Sequence, residues 1–166
     1  MRLGRTPFTA LSVITLATGL AACGETAEEV PTAELAAEDL AMIEARQDNF
    51  EEIGDAFKVI RDQLDADSPD FALISASAAT IQEDAAKIPD FFVAGTSMDS
   101  GADTEALAVI WEQPEDFTAA HQKLVDASAV LVEAAASEDA ETIGAAAMGL
   151  GGSCKNCHDT FRLETD

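Results

Sequence analysis

Along most of this chain apolar residues recur at alternating steps of three and four, and that rhythm limits it to packed helices. In the first segment Ile43, Arg46, Phe50, Ile53, Phe57, Ile60 and Leu64 fall on one stripe. Asp67-Ser68-Pro69 follows as a turn, with Ser68 expected as N-cap and Pro69 at the first position of the next helix. The second stripe comprises Phe71, Ile74, Ala78, Ile81, Ala85 and Ile88, and Pro89 ends it. Residues 89–113 form a long connection containing Gly95 and Gly101, with a short helical turn expected within Ala106–Trp111. A third segment opens near Pro114 and turns Phe117, Ala120, Leu124, Leu131 and Ala135 inward, with Val125 and Val132 widening the face. The fourth runs from Asp139 to Leu163 and aligns Ile143, Ala147, Leu150, Cys154, Cys157 and Phe161. Short turns join the first pair and the last pair, so each pair should be antiparallel. The expected fold is all-α, an up-and-down antiparallel four-helix bundle.

The last helix carries Cys154-Lys155-Asn156-Cys157-His158, a C-x-x-C-H sequence of the kind that attaches c-type haem. On a helix, positions i and i+3 share one face about a turn apart, so two thiols reach the two vinyl groups of one porphyrin. His158, next along, can offer an imidazole nitrogen as axial ligand to the iron. Two other chemistries use such a pair. A redox dithiol normally follows a strand at the start of a helix, and no clear strand run precedes this one. A zinc site needs four ligands, usually Cys or His, and outside the motif the sequence offers only His121 and Cys23 of those two kinds. Covalent haem c, one per chain, is the reading the spacing favours. Gly149, Gly151 and Gly152 each cost about 1 kcal/mol of helix propensity against alanine. Their expected use is close approach of a partner helix or the porphyrin.

The chain begins with Arg2 and Arg5, followed by an apolar run from Ala10 to Ala21 that is too short to span a bilayer. This segment closes in Leu20-Ala21-Ala22-Cys23-Gly24, which resembles a bacterial lipobox. Residues 1–22 are therefore expected to be a lipoprotein-type signal peptide, with Cys23 lipidated and the protein exported to the periplasm. A plain secretory peptide that leaves Cys23 as a free thiol is the alternative. Residues 23–35 are acidic and poor in apolar side chains, as a flexible tether would be. The bundle is assigned to residues 36–166. The formal net charge is −23, and loss of the leader would remove two arginines and no acid. So acidic a surface repels nucleic acid and anionic headgroups and favours basic partners.

Arg46 interrupts the first apolar stripe. A buried arginine needs an anion, since an unpaired buried charge is costly. A haem propionate would supply one; otherwise the side chain must lie at a margin and extend to solvent.

The chain resembles the class II c-type cytochromes, specifically the cytochrome c′ family, over residues 36–166. The resemblance rests on Arg46 and its helix, Ile88-Pro89-Asp90-Phe91-Phe92, and Ile110-Trp111 followed by Phe117. It rests above all on Cys154-Lys155-Asn156-Cys157-His158-Asp159-Thr160-Phe161-Arg162 at the far C-terminal end. It implies that His158 is the fifth iron ligand, that Arg162 flanks the proximal side, and that the residue one turn after Arg46 caps the distal face. In the low-spin branch of the family that position is methionine; here it is Phe50. Met148 shares the proximal helix, and Met42 stands about 12 Å before Phe50 along its helix at 1.5 Å per residue. Met98 could ligate only if the long connection folded over the distal face. His121 is expected to be an exposed helix histidine. The expected function is one-electron transfer in the periplasm by a five-coordinate haem, with secondary binding of nitric oxide or carbon monoxide. A gas-binding or nitric-oxide-buffering protein is the alternative, and a six-coordinate Met-ligated electron carrier is a third reading. No catalytic constellation accompanies the haem motif, so enzymatic turnover is not expected. The implied partners are a redox protein with a basic docking face, a membrane reached through the lipid, and a second copy of the chain.

Overall fold

A computed structural model describes residues 35–164. The expected signal peptide, Cys23 and nearly all of the expected tether lie outside these residues. Four long helices carry the four stripes: α1 (Ala37–Leu64), α2 (Phe71–Lys87), α4 (Pro114–Ala135) and α5 (Ala140–Phe161). The short α3 (Val109–Glu112) interrupts the long connection, and 3₁₀ turns occupy Ile88–Phe91 and Met98–Ser100. None of the described helices is long and apolar enough to cross a membrane.

The stripes close on one another as their spacing requires. Ile60, Ile74, Ile81, Leu131, Ile143 and Leu150 are fully buried, and Ala78, Ala85 and Ala135 let the helix axes come close. Helix α1 packs on α2, α2 on α4, and α4 on α5, whereas α1 and α5 meet sparsely. Within the α1 stripe Ile43, Arg46, Ile53 and Ile60 are buried, while Phe50, Phe57 and Leu64 are only half-buried. Phe50 and Phe57 border a hollow between the helices.

One cap differs from expectation. Asp70, not Ser68, is the N-cap of α2: its carboxylate accepts from the Ala72 and Leu73 amides at 3.0 Å each. Pro69 therefore precedes the helix instead of opening it, and the Gln63 side chain accepts from the Asp70 amide at 2.9 Å. At α4 the proline does open the helix, where its missing N–H costs nothing. Asp139 caps α5 through the Thr142 amide at 2.8 Å.

The long connection keeps to one end of the bundle, where α2 finishes, α4 begins and α5 finishes. The Leu163 amide donates to Glu105 O at 2.8 Å and the Leu107 amide to Phe161 O at 3.0 Å, around an antiparallel bridge between Ala106 and Arg162. The Gln47 side-chain amide donates to Asp103 O at 2.9 Å, so the same strap is tied to α1.

Candidate haem-binding site

The last two turns of α5 carry Cys154, Cys157 and His158, each half-buried and each on the wall of a 590 Å³ cavity. Lys155 and Asp159 pair at 2.6 Å on the exposed side of the helix, leaving the cysteines and histidine on the inner side. Helix α1 contributes Arg46, Phe50, Ile53 and Phe57 to the cavity, and α4 contributes Phe117, His121 and Leu124. Residues 103–106 of the strap and Arg162 complete the rim.

The thiols lie far from the helix N-terminus, which is where a redox cysteine is usually activated. Burial raises both, Cys154 by direction and Cys157 to about 11, with the neighbouring Cys154 adding to the second. Both are neutral thiols near pH 7, unlike the depressed thiolates of redox dithiols. Burial, and then the charge of Arg162, lowers the His158 pKa, favouring the neutral imidazole that binds metals. Among the described residues no three His, Cys, Asp or Glu side chains gather as a site for a bare metal ion.

Arg46 is 3% exposed, so the solvent-extending alternative fails. Its Nη1 donates to Thr96 Oγ1 at 3.1 Å, and its Nη2 donates to Thr96 O at 3.1 Å and Thr104 Oγ1 at 2.7 Å. The guanidinium lies over the Phe92 ring, 4.8 Å from its centroid. All of these partners are neutral, and among the described residues no carboxylate pairs with it. Burial lowers its pKa, though an arginine stays charged. A permanently charged group therefore borders the cavity with its own charge unmatched by the protein.

An aromatic wall runs beside it. Phe92 meets Phe50 edge-on at 6.4 Å and Phe117 at 4.8 Å, and Phe117 meets Phe161 edge-on at 5.4 Å. Trp111 fastens this wall by donating from Nε1 to Phe92 O at 3.2 Å.

His121 corrects the sequence reading. It is half-buried and lines the cavity, and its Nε2 lies 2.8 Å from Ala85 O near the end of α2. A carbonyl only accepts, so Nε2 carries the proton and the ring links α4 to α2. Met42, Met98 and Met148 do not line the cavity, and Met148 is 75% exposed. Thr96 and Thr104, the partners of Arg46, carry no periodic signal in the sequence and were not expected. Asn49 was also missed: it is buried on α1 and donates from Nδ2 to Asp84 O at 3.2 Å.

The donor set suits a covalently held haem. Two thiols stand a turn apart beside an imidazole, the cavity is walled by aromatic and aliphatic side chains, and one unmatched cation lies at its border. Comparison with known proteins agrees. The family model described as Cytochrome C' matches residues 41–162. The cytochrome c' of Pararhodospirillum photometricum is 34% identical over 122 residues, which cover 74% of this chain and 96% of that protein. The solved cytochrome c prime from Shewanella frigidimarina superposes with a TM-score of 0.70 at 33% identity, covering 78% of this chain and all of that one. The nitric oxide complex of a variant of cytochrome c prime from Alcaligenes xylosoxidans superposes with a TM-score of 0.70 at 25% identity, covering 79% and 100%. The chain belongs to the cytochrome c′ family.

Proposed function

We propose that this protein is a five-coordinate haem c protein that carries single electrons in the periplasm and binds nitric oxide or carbon monoxide as a second activity. Family members carry covalently bound haem c, and Cys154 and Cys157 fit that attachment. The bound iron supplies a one-electron couple and an open coordination position. Cys154 and Cys157 anchor the porphyrin, and His158 supplies the protein's one axial nitrogen. Arg46 pairs with a propionate, whose negative charge matches the cation the protein leaves unmatched. Phe50 caps the distal side and excludes water, and Arg162 flanks His158.

The observation that carries this reading is that, among the described residues, no methionine lines the cavity that the motif faces. Phe50 stands on that wall, Met42, Met98 and Met148 stay off it, and the His121 Nε2 is committed to Ala85 O. A dry aromatic wall favours weakly polar diatomics over bound oxygen, which needs a distal donor. The nitric oxide complex of the Alcaligenes protein supports the gas-binding side of the proposal. The acidic surface fits a redox partner with a basic docking face. Membrane anchoring through a lipidated Cys23, and pairing with a second copy, are part of the same proposal.

The test is optical and electron-paramagnetic spectroscopy of the loaded protein. A high-spin ferric spectrum, and carbon monoxide uptake by the ferrous form, are expected. A low-spin ferric spectrum with a sulfur-to-iron charge-transfer band would overturn five-coordination and make Met98 the leading sixth ligand.

A further inference from the structure

Two hollows among the described residues share one side chain. The first is the 590 Å³ cavity above the Cys-His motif. The second is a 410 Å³ groove between α1 and α5, lined by Phe57, Leu64, Gly144, Ala147, Gly151 and the exposed Met148, with the exposed Arg61 and Asp65 at its border. Phe57 is the single described residue that lines both.

The sequence explains why the partition is so thin. Phe57 stands two turns after Phe50 on the same face of α1, and Gly54 lies between them with open space where a Cβ would be. Gly144, Ala147 and Gly151 share one face of α5, and none carries a side chain large enough to fill the seam. A Cβ on Gly151 would meet only the Phe57 ring, with Cζ at 3.7 Å and Cε1 at 3.9 Å. The ring thus faces bare helix backbone across the seam, with room for a methyl between them. It makes no hydrogen bond, and terminal phenyl torsions are broad, so it can turn without breaking a polar contact. On another side of the cavity lies the strap that Arg46 and Gln47 hold through Thr96, Thr104 and Asp103.

We propose that the α1–α5 seam is the access route for small uncharged diatomic molecules, and that Phe57 is its gate. This rests on the diatomic-binding reading above and adds the path and the residue that controls it. Past Arg61 and Asp65 at its border, the path between Phe57, Leu64 and the small residues of α5 is apolar. It passes carbon monoxide or nitric oxide, while hydrated anions would have to shed water at high cost. A gate stabilises neither the free nor the bound state. Changing it alters the rates of association and dissociation by the same factor and leaves affinity unchanged.

Flash photolysis and ligand-replacement kinetics of carbon monoxide on the ferrous holoprotein test this. Phe57→Leu, a mild apolar truncation, should speed both rates several-fold. Gly151→Ala, which favours the helix and fills the gap with a methyl in van der Waals contact with the ring, should slow both. In Gly151→Ala, which leaves the lining of the haem cavity untouched, the dissociation constant should stay at the wild-type value. Rates unchanged in both variants would overturn the route while leaving gas binding intact, as would a change in one rate alone. Wild-type protein that takes up no carbon monoxide would overturn the diatomic reading and the route with it. Crystals of the holoprotein under xenon should show the gas bound between Phe57 and Ala147; a groove that stays empty also overturns the proposal.

Discussion

Replacing Arg46 with leucine should show how much of the site end depends on one buried cation. The substitution removes three hydrogen bonds and the contact with the Phe92 ring. Thr96 Oγ1 keeps its bond to Val93 O at 2.8 Å and Thr104 Oγ1 still accepts from the Ala106 amide at 3.3 Å, but the Thr96 carbonyl loses its partner. A buried polar group left unsatisfied costs about 1–3 kcal/mol. The lost cation–π contact adds up to about 2 kcal/mol in a desolvated setting. Against this, leucine needs no desolvation of a charge, which offsets several kcal/mol in a buried ion. The net expectation is a loss of about 2–4 kcal/mol, or roughly 8–16 °C in Tm at about 4 °C per kcal/mol for a domain of this size. Thermal and urea unfolding of the wild type and Arg46→Leu would measure it. Thr104→Val combined with Arg46→Leu should cost less than the sum of the single changes by about 1 kcal/mol, because the two residues share one bond. A variant within about 0.5 kcal/mol of wild type would refute the reasoning, since that is the range of ordinary surface changes.

Three further outcomes are expected. Phe50→Met places a thioether on the distal wall and should shift the resting ferric spectrum toward low spin and suppress carbon monoxide uptake; unchanged spin and uptake would remove Phe50 from the distal position. In haem-free protein the raised pKa of Cys157 means that the fold favours the neutral thiol. Its contribution to stability is complete below the unfolded thiol value of about 8.5 and is lost as pH rises toward about 11. The urea midpoint should therefore fall across that window and fall less in Cys157→Ala. Wild-type protein should fractionate with membranes while Cys23→Ser should not, and a wholly soluble wild-type protein would contradict lipidation, since several acyl chains anchor stably where one does not.

The helices were legible because burial in a bundle leaves a periodic trace. Ile43, Ile53, Ile60, Ile74, Ile81, Leu131 and Ile143 were all placed inward by spacing and are buried. The cysteines and His158 were legible because two thioether bonds and one axial ligand demand a fixed spacing. Arg46 was legible only as an anomaly. Its partners Thr96 and Thr104 sit in an aperiodic connection, where a buried threonine looks like any solvated one. His121 was misread because α4 begins beside the cavity, so a position off the main stripe still faces inward there. Asp70 displaced Ser68 as the α2 cap because its carboxylate reaches two amides at once. Phe57 read simply as core; only the seam beside Gly151 shows that it closes a hollow instead of filling one.

The account stands or falls on covalent attachment at Cys154 and Cys157. Mature protein made in cells that assemble c-type cytochromes should be denatured and measured by mass spectrometry alongside a haem-peroxidase stain. The wild type should carry the mass of one haem on the peptide that holds both cysteines, and the stain should survive denaturation. Cys154→Ala and Cys157→Ala should each keep at most a single, weaker attachment, and the double variant none. A wild-type chain of bare polypeptide mass with no stained band would contradict the assignment.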